Sequence, residues 1–340
     1  MINPNLHHNN KKEFSNLYPS THSEETVYDK IDFLKENEKG FKKYLNIRLR
    51  KTNSIKIDLI KGFDPDKFQI TPKIDLLKNN SDKMLITWLG HASFLIQFGD
   101  GKNILTDPTL HNLPFDFLFE RLNRASPSII KEKELDFVST ITLSHNHYDH
   151  LDWETLDNFD KNISYYVPLR VEKYFDQSYG LVTGMDWYTS VNQNNINITF
   201  LPANHWSKRY PWERNETLWG GFLFEHRGTT IYFAGDTGYS KIFKDIHNRY
   251  GSIDICLIPI TAYKPYRYRR SHLSPENALK AAEDLHCKVC IPWGYGTFTL
   301  GHEHILEPLR RFLKVYEYMS PSINVKIQHL KMGETYIFED

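Results

Sequence analysis

Cysteine is nearly missing from this chain: three occur in 340 residues. That is too few for a disulfide-stapled secreted scaffold. Cys287 and Cys290 have C-x-x-C spacing but no second pair with which to build a four-thiolate zinc site. Cys256 lies in the apolar run 255–260 and reads as a small buried hydrophobe. The other two read as packing where a helix end enters a strand. Net charge is absent too, with 42 Lys and Arg against 42 Asp and Glu. Nothing therefore pulls the chain as a whole toward nucleic acid, which is not an expected partner. No apolar run is long enough to span a bilayer, and residues 1–10 lack the apolar stretch of a signal peptide. The expectation is a soluble, cytoplasmic protein. A G-x-S-x-G elbow, a P-loop, a dinucleotide fingerprint and a solenoid repeat are all missing. These absences point away from serine hydrolases, nucleotide enzymes and repeat scaffolds.

What is present is ordinary for a globular protein: 40% hydrophobic and 25% charged residues, in a chain long enough for a sizeable core. Residues 1–25 are rich in Asn, His, Ser and Lys and read as a disordered or loosely attached arm. Residues 24–53 suggest helix, and 62–80, with Pro65 and Pro72, a linker. The division is thus an N-terminal extension over 1–80 and a main domain over 81–340. In the main domain, strand patterns at 84–89, 92–98, 104–105 and 137–143 give way to alternating strand and helix patterns. Asp100-Gly101 marks a hairpin, and Ser274-Pro275-Glu276 opens a helix running to about residue 286. The order of elements predicts a layered α/β protein and not a purely doubly wound sheet.

The densest chemistry is Ser144-His145-Asn146-His147-Tyr148-Asp149-His150, directly after the apolar run 137–143. Three histidines and an aspartate at the end of a strand suit zinc, manganese or iron. His145 and His147 cannot share one side of a regular helix, so this is no H-E-x-x-H zincin; a turning loop can aim both inward. Two more apolar strands end in candidate ligands: residue 201 leads to His205, and residue 233 to Asp236 in Ala234-Gly235-Asp236-Thr237-Gly238. Ligands mounted on strand ends hold their geometry at little entropic cost.

These residues resemble the H-x-H-x-D-H motif of the metallo-β-lactamase superfamily. Within it the chain is similar to the branch of phospholipases D that hydrolyse N-acylphosphatidylethanolamine. The matching stretches span roughly residues 84 to 310. They include Thr87-Trp88-Leu89-Gly90-His91-Ala92-Ser93, Ile104-Leu105-Thr106-Asp107-Pro108, Pro202-Ala203-Asn204-His205-Trp206, Phe233-Ala234-Gly235-Asp236-Thr237-Gly238-Tyr239 and Gly296-Thr297-Phe298. The resemblance implies a four-layer αβ/βα sandwich with one or two zinc ions, or manganese or iron, at a sheet edge. His145, His147 and His205 would hold the first metal, Asp149 and His150 the second, and Asp236 would bridge them. The histidine that normally completes the second site falls at Gly294, which has no side chain to offer. The resemblance therefore leaves that site weakened, completed by His302 or His304, or empty. His91 is read as supporting or packing beside the metals, not ligating.

By resemblance, the activity is a phospholipase D-type phosphodiesterase in which the metals turn water into the nucleophile. Asp149 would orient that nucleophile or take its proton, and His272 would donate to a phosphate oxygen or leaving group. The substrate would be a phospholipid, met at a membrane surface through the insertion 109–128. The cluster Lys264, Arg267, Arg269 and Arg270 could meet the headgroup phosphate. A small phosphorylated or lactone substrate, a non-catalytic metal-binding protein and a homodimer all stay open.

Overall fold

The computed structural model describes residues 13–20, 59–99, 101–116, 122–160, 162–320 and 322–338. Alternation of apolar side chains builds its first sheet. Ile86, Trp88, Phe94, Ile96 and Ile104 enter one buried cluster, while Leu85, Leu89, Leu95 and Leu105 enter another on the opposite face. The sheet comprises β1 (Met84–Gly90), β2 (Ser93–Gln97), β3 (Asn103–Thr106), β4 (Thr140–Thr142), β5 (Ser164–Pro168) and β6 (Val182–Met185). The second comprises β7 (Ser190–Gln193), β8 (Ile196–Pro202), β9 (Gly220–His226), β10 (Thr229–Phe233), β11 (Ile255–Pro259), β12 (Val289–Trp293) and β13 (Lys326–Ile327). The last strand, β14 (Thr335–Phe338), returns to the first sheet beside β1.

Each sheet holds seven strands, in the orders β14-β1-β2-β3-β4-β5-β6 and β13-β12-β11-β10-β9-β8-β7. In each sheet half the pairs are antiparallel and half parallel: β14-β1-β2-β3 and β10-β9-β8-β7 pair antiparallel, β3-β4-β5-β6 and β13-β12-β11-β10 parallel. This direction pattern places the site. The C-terminal ends of β1, β3 and β4 share one edge of the first sheet, and those of β8, β10, β11 and β12 share one edge of the second. Aromatic side chains from both sheets, including Trp88, Phe94, Phe200, Phe222 and Phe233, fill the space between them. Each such burial contributes on the order of 2–3 kcal/mol. Helices α1 (Ile242–Tyr250), α2 (Pro275–Asp284) and α3 (Glu307–Met319) lie beside the second sheet. The Ser274 hydroxyl caps α2 by accepting from the Asn277 amide, with Pro275 in the first turn. Among the described residues no helix is long and apolar enough to cross a membrane.

Several expectations change. Cys256 is not merely a buried hydrophobe: it is joined to Cys287 in a disulfide, with Cα atoms 6.0 Å apart. The strand register sets Cys290 opposite Cys256, yet Cys290 stays free and buried, and it is Cys287, just before β12, that bonds to Cys256. The run 137–143 forms only a three-residue strand. Residues 13–20, expected in a loose arm, pack on the body: Phe14 is buried in the main core, and its amide donates to the Asn215 carbonyl. The helix expected at 24–53 and the remainder of the N-terminal arm lie outside the described residues. So do residues 117–121 of the insertion.

Candidate metal centre

Five strand ends converge at the shared edge. The loop after β4 carries His145, His147, Asp149 and His150; β8 leads to His205 and β10 to Asp236. The turn after β10 needs glycine, since Gly235 has φ +59° and a Cβ there would meet the Gly220 carbonyl oxygen at 2.5 Å. The ends of β1 and β3 add His91 and Asp107.

The first cluster is three imidazoles. His147 Nδ1 lies 2.8 Å from His145 Nε2 and 3.2 Å from His205 Nε2. Outer partners set the tautomers. His205 Nδ1 donates to the Ser271 carbonyl at 2.8 Å, leaving Nε2 bare. The Ser144 hydroxyl donates to Asp107 and so accepts from His145 Nδ1 at 2.9 Å, which bares His145 Nε2. The bare Nε2 atoms of His145 and His205 thus converge on His147 Nδ1, whose own proton no outer partner fixes. Burial, reinforced by neighbouring histidines, holds His145 well below the usual histidine range, and burial brings His147 to about 4 and His205 well down. Neutral, converging nitrogens are what a divalent ion requires; ligands about 2.0–2.1 Å from tetrahedral zinc stand roughly 3.3 Å apart.

The second cluster is richer in charge. Asp149 Oδ2 lies 3.1 Å from His91 Nε2 and 3.5 Å from His150 Nε2. Asp236 Oδ2 stands between the clusters, 3.5 Å from His150 Nε2 and 3.7 Å from His205 Nε2. Burial alone would raise both carboxyls, but His150, with His91 beside Asp149 and His272 and His205 beside Asp236, holds them well below the carboxylate range. Burial would likewise lower His150; Asp236, Asp149 and Asp107 instead raise it well above the histidine range. Three carboxylates therefore draw a proton to the place where a metal cation would supply the same charge. The residues could hold two ions, with Asp236 shared.

Asp107, just after β3, anchors this region although no role was expected of it. Fully buried, it accepts from the Ser144 amide at 2.6 Å, from the Ser144 hydroxyl and from His150 Nδ1 at 2.6 Å. The signal was available: it is another strand-end carboxylate at the same edge. His272 Nδ1 lies 3.6 Å from Asp236 Oδ2, with its ring 5.0 Å from that of His205. Burial lowers its pKa. His302 and His304 do not join either cluster. His304 accepts from the Leu306 amide and faces the Lys61 carbonyl, and the His302 ring packs toward Tyr268. The expected basic cluster is partly spent on structure: Lys264 pairs with Glu307 at 2.6 Å, and Arg269 is buried against Tyr263 and Tyr266.

The N-terminal segment reaches the centre through Asn16. Its Oδ1 accepts from the His205 amide and from Trp219 Nε1, and its Nδ2 donates to the His205 carbonyl at 3.1 Å. Asn16→Ala should lower affinity for the first metal about tenfold and stability by about 1–2 kcal/mol. A competition titration with a chromophoric chelator reads the first, and an unchanged affinity would make the segment a passive cover.

The chain matches the beta-lactamase superfamily domain over residues 102–295. It is 30% identical over 273 residues to the N-acyl-phosphatidylethanolamine-hydrolyzing phospholipase D 1 of Caenorhabditis elegans, covering 76% of each chain. A metal-dependent hydrolase of Methanopyrus kandleri is 28% identical, over 74% of this chain and 99% of its own. In fold, the chain is similar to a metallo hydrolase from the archaeon Ignicoccus hospitalis, with TM-score 0.58 and 22% identity over 76% of this chain and 100% of that one. Two stacked mixed sheets flanked by helices, metal-ready clusters on their common edge and these matches lead to one conclusion: the chain belongs to the β-lactamase superfamily and is a metal-dependent hydrolase of the metallo-β-lactamase fold.

Proposed function

We propose that this hydrolase cleaves N-acylphosphatidylethanolamine-like phospholipids at a membrane surface, in phospholipase D fashion. Likeness to the worm phospholipase supports the bond; the surroundings of the clusters support the lipid. The observation that carries the lipid is an exposed aromatic rim continuous with the ligand loop. Trp212 is 75% and Phe115 52% exposed. Phe115 meets the edge of Tyr148, which sits between His147 and Asp149, and Trp212 stacks on Tyr210 at 5.4 Å. Arg209 ties this rim to the loop: its guanidinium lies 4.4 Å from the Tyr148 ring and donates to the Asn146 and Leu151 carbonyls. Exposed aromatic rings of this kind suit the boundary between acyl chains and headgroups.

Metals bound by the two clusters supply Lewis acidity and lower the pKa of water. The side chains do the rest. Asp149 orients the water and takes its proton as the oxygen adds to phosphorus. The bond from phosphorus to the N-acylethanolamine oxygen breaks; His272, beside Asp236, steadies the departing oxygen with its ring N–H, and that oxygen takes up the proton Asp149 accepted. Phosphatidic acid and N-acylethanolamine result.

Vesicles containing N-acylphosphatidylethanolamine, incubated with the protein and Zn²⁺ or Mn²⁺, should release both products. Trp212→Ala should raise the half-saturating vesicle concentration about tenfold, a loss of about 1.4 kcal/mol, at unchanged maximal rate. Turnover of a small phosphate ester or lactone without vesicle hydrolysis would overturn the lipid. Failure with every ester and phosphodiester would leave a metal-binding protein.

A further inference from the structure

We propose that His91 ligates the second metal, supplying the imidazole that Gly294 cannot. The proposal rests on the metal-dependent hydrolase reading and assigns one residue to its less complete site.

Position 294 is closed to a side chain. Gly294 has φ +98°, and a Cβ built there would stand 2.5 Å from Thr261 Oγ1. Without another donor, the second cluster offers only Asp149, His150 and a share of Asp236. His91 comes from the end of β1, on the facing sheet, and its ring enters the same space. Ligand atoms of His91, Asp149 and His150 all lie within 4.8 Å of one another. His91 Nε2 points at Asp149 Oδ2 from 3.1 Å, and the His91 and His150 rings meet edge-on at 5.0 Å.

The ring is also held in place, as a ligand must be. His91 is 4% exposed and takes φ +46°, a conformation few non-glycine residues adopt. Four contacts hold that backbone and ring. Its amide donates to Thr297 Oγ1 at 2.8 Å, its carbonyl accepts from Trp88 Nε1 at 2.9 Å, and Phe298 and Trp293 pack edge-on against the ring. Thr297 and Phe298 follow Gly294 in the same turn. The segment that lacks the usual ligand therefore positions its replacement. A simple His91–Asp149 hydrogen bond would explain the 3.1 Å contact alone. It would not explain why a ring nitrogen of His91 also comes within 4.8 Å of one on His150, so that both imidazoles converge with Asp149 on one point.

The test compares full-length protein with H91A, H91Q and H147A by elemental analysis and Zn²⁺ titration. Wild type should bind two ions per chain. H91A should keep one at wild-type affinity and bind the second more than about 100-fold more weakly, beyond the 10–100-fold typical of losing an outer partner. H147A should instead lose the first. Equal binding of two ions by H91A and wild type would overturn the assignment, as would a single ion in both, which leaves the first cluster and the hydrolase reading standing. No ion in wild type would sink that reading itself. Should H91A fail to fold, H91Q and Co²⁺-substituted wild type decide: a contact-shifted imidazole N–H that H91Q lacks supports ligation, and its absence refutes it.

Discussion

His147→Ala should reduce kcat/KM by at least about 1,000-fold while leaving the fold intact. His147 Nδ1 is the point where the first cluster closes, within 3.2 Å of both His145 and His205. Without it, two imidazoles and a shared carboxylate remain. That set cannot hold a divalent ion at working concentrations with the geometry that brings the pKa of water down toward about 7. A thousandfold loss corresponds to about 4 kcal/mol in the barrier. The fold should tolerate the change because the ring packs against Trp206 at the mouth and belongs to neither apolar cluster. Removing it also removes a neutral nitrogen facing other nitrogens. Metal content, vesicle hydrolysis and urea unfolding of the metal-free protein should be measured together. Near-wild-type turnover, or lost turnover with full metal content, would refute the role given to His147.

The ligand loop was legible in the sequence because its signal is local. Three histidines and an aspartate in six positions after an apolar run leave few structural readings. His205 and Asp236 were legible for a related reason: each follows its own apolar strand, and parallel strands bring such ends together. Asp107 was passed over although it ends an apolar strand, and His91 was placed beside the metals by resemblance alone. Their meaning comes from the directions of β1 and β3, which carry them to the same edge as β4. The Cys256–Cys287 pair escaped because C-x-x-C spacing drew attention to Cys287 and Cys290. Residues 13–20 misled through composition. Polar residues there suggested a free arm, yet one aromatic, Phe14, and one amide, Asn16, dock the segment in the core and on His205. The apolar alternation in β1 and β2 announced the first sheet, whereas β4 was overread because Phe137 and Val138 extend the apolar pattern ahead of the strand.

Asp107→Asn should prove the most damaging change among side chains that touch no metal. Asp107 sits fully buried with three donors around one carboxylate: the Ser144 amide, the Ser144 hydroxyl and His150 Nδ1. Burial raises its pKa, and the His150 and Ser144 contacts only partly offset this. The carboxylate is costly to keep and is held by those contacts. An asparagine can turn its oxygen toward the Ser144 amide only by presenting its NH₂ toward His150 or the hydroxyl. Either choice leaves a buried donor facing a donor, at a cost of about 2–3 kcal/mol in unfolding free energy. The consequence for metal follows from tautomers. His150 loses the acceptor that fixes its proton on Nδ1, so Nε2 is no longer held bare toward Asp149 and Asp236. The Ser144 hydroxyl loses its own acceptor and no longer fixes the proton on His145. One substitution therefore disturbs both clusters, each by about 10–100-fold in affinity. Asp149→Asn, by contrast, should weaken only the second. Two-site Zn²⁺ titrations of the two variants separate these outcomes: a D107N protein whose first site binds as in wild type would show that Ser144 orients His145 without help from Asp107.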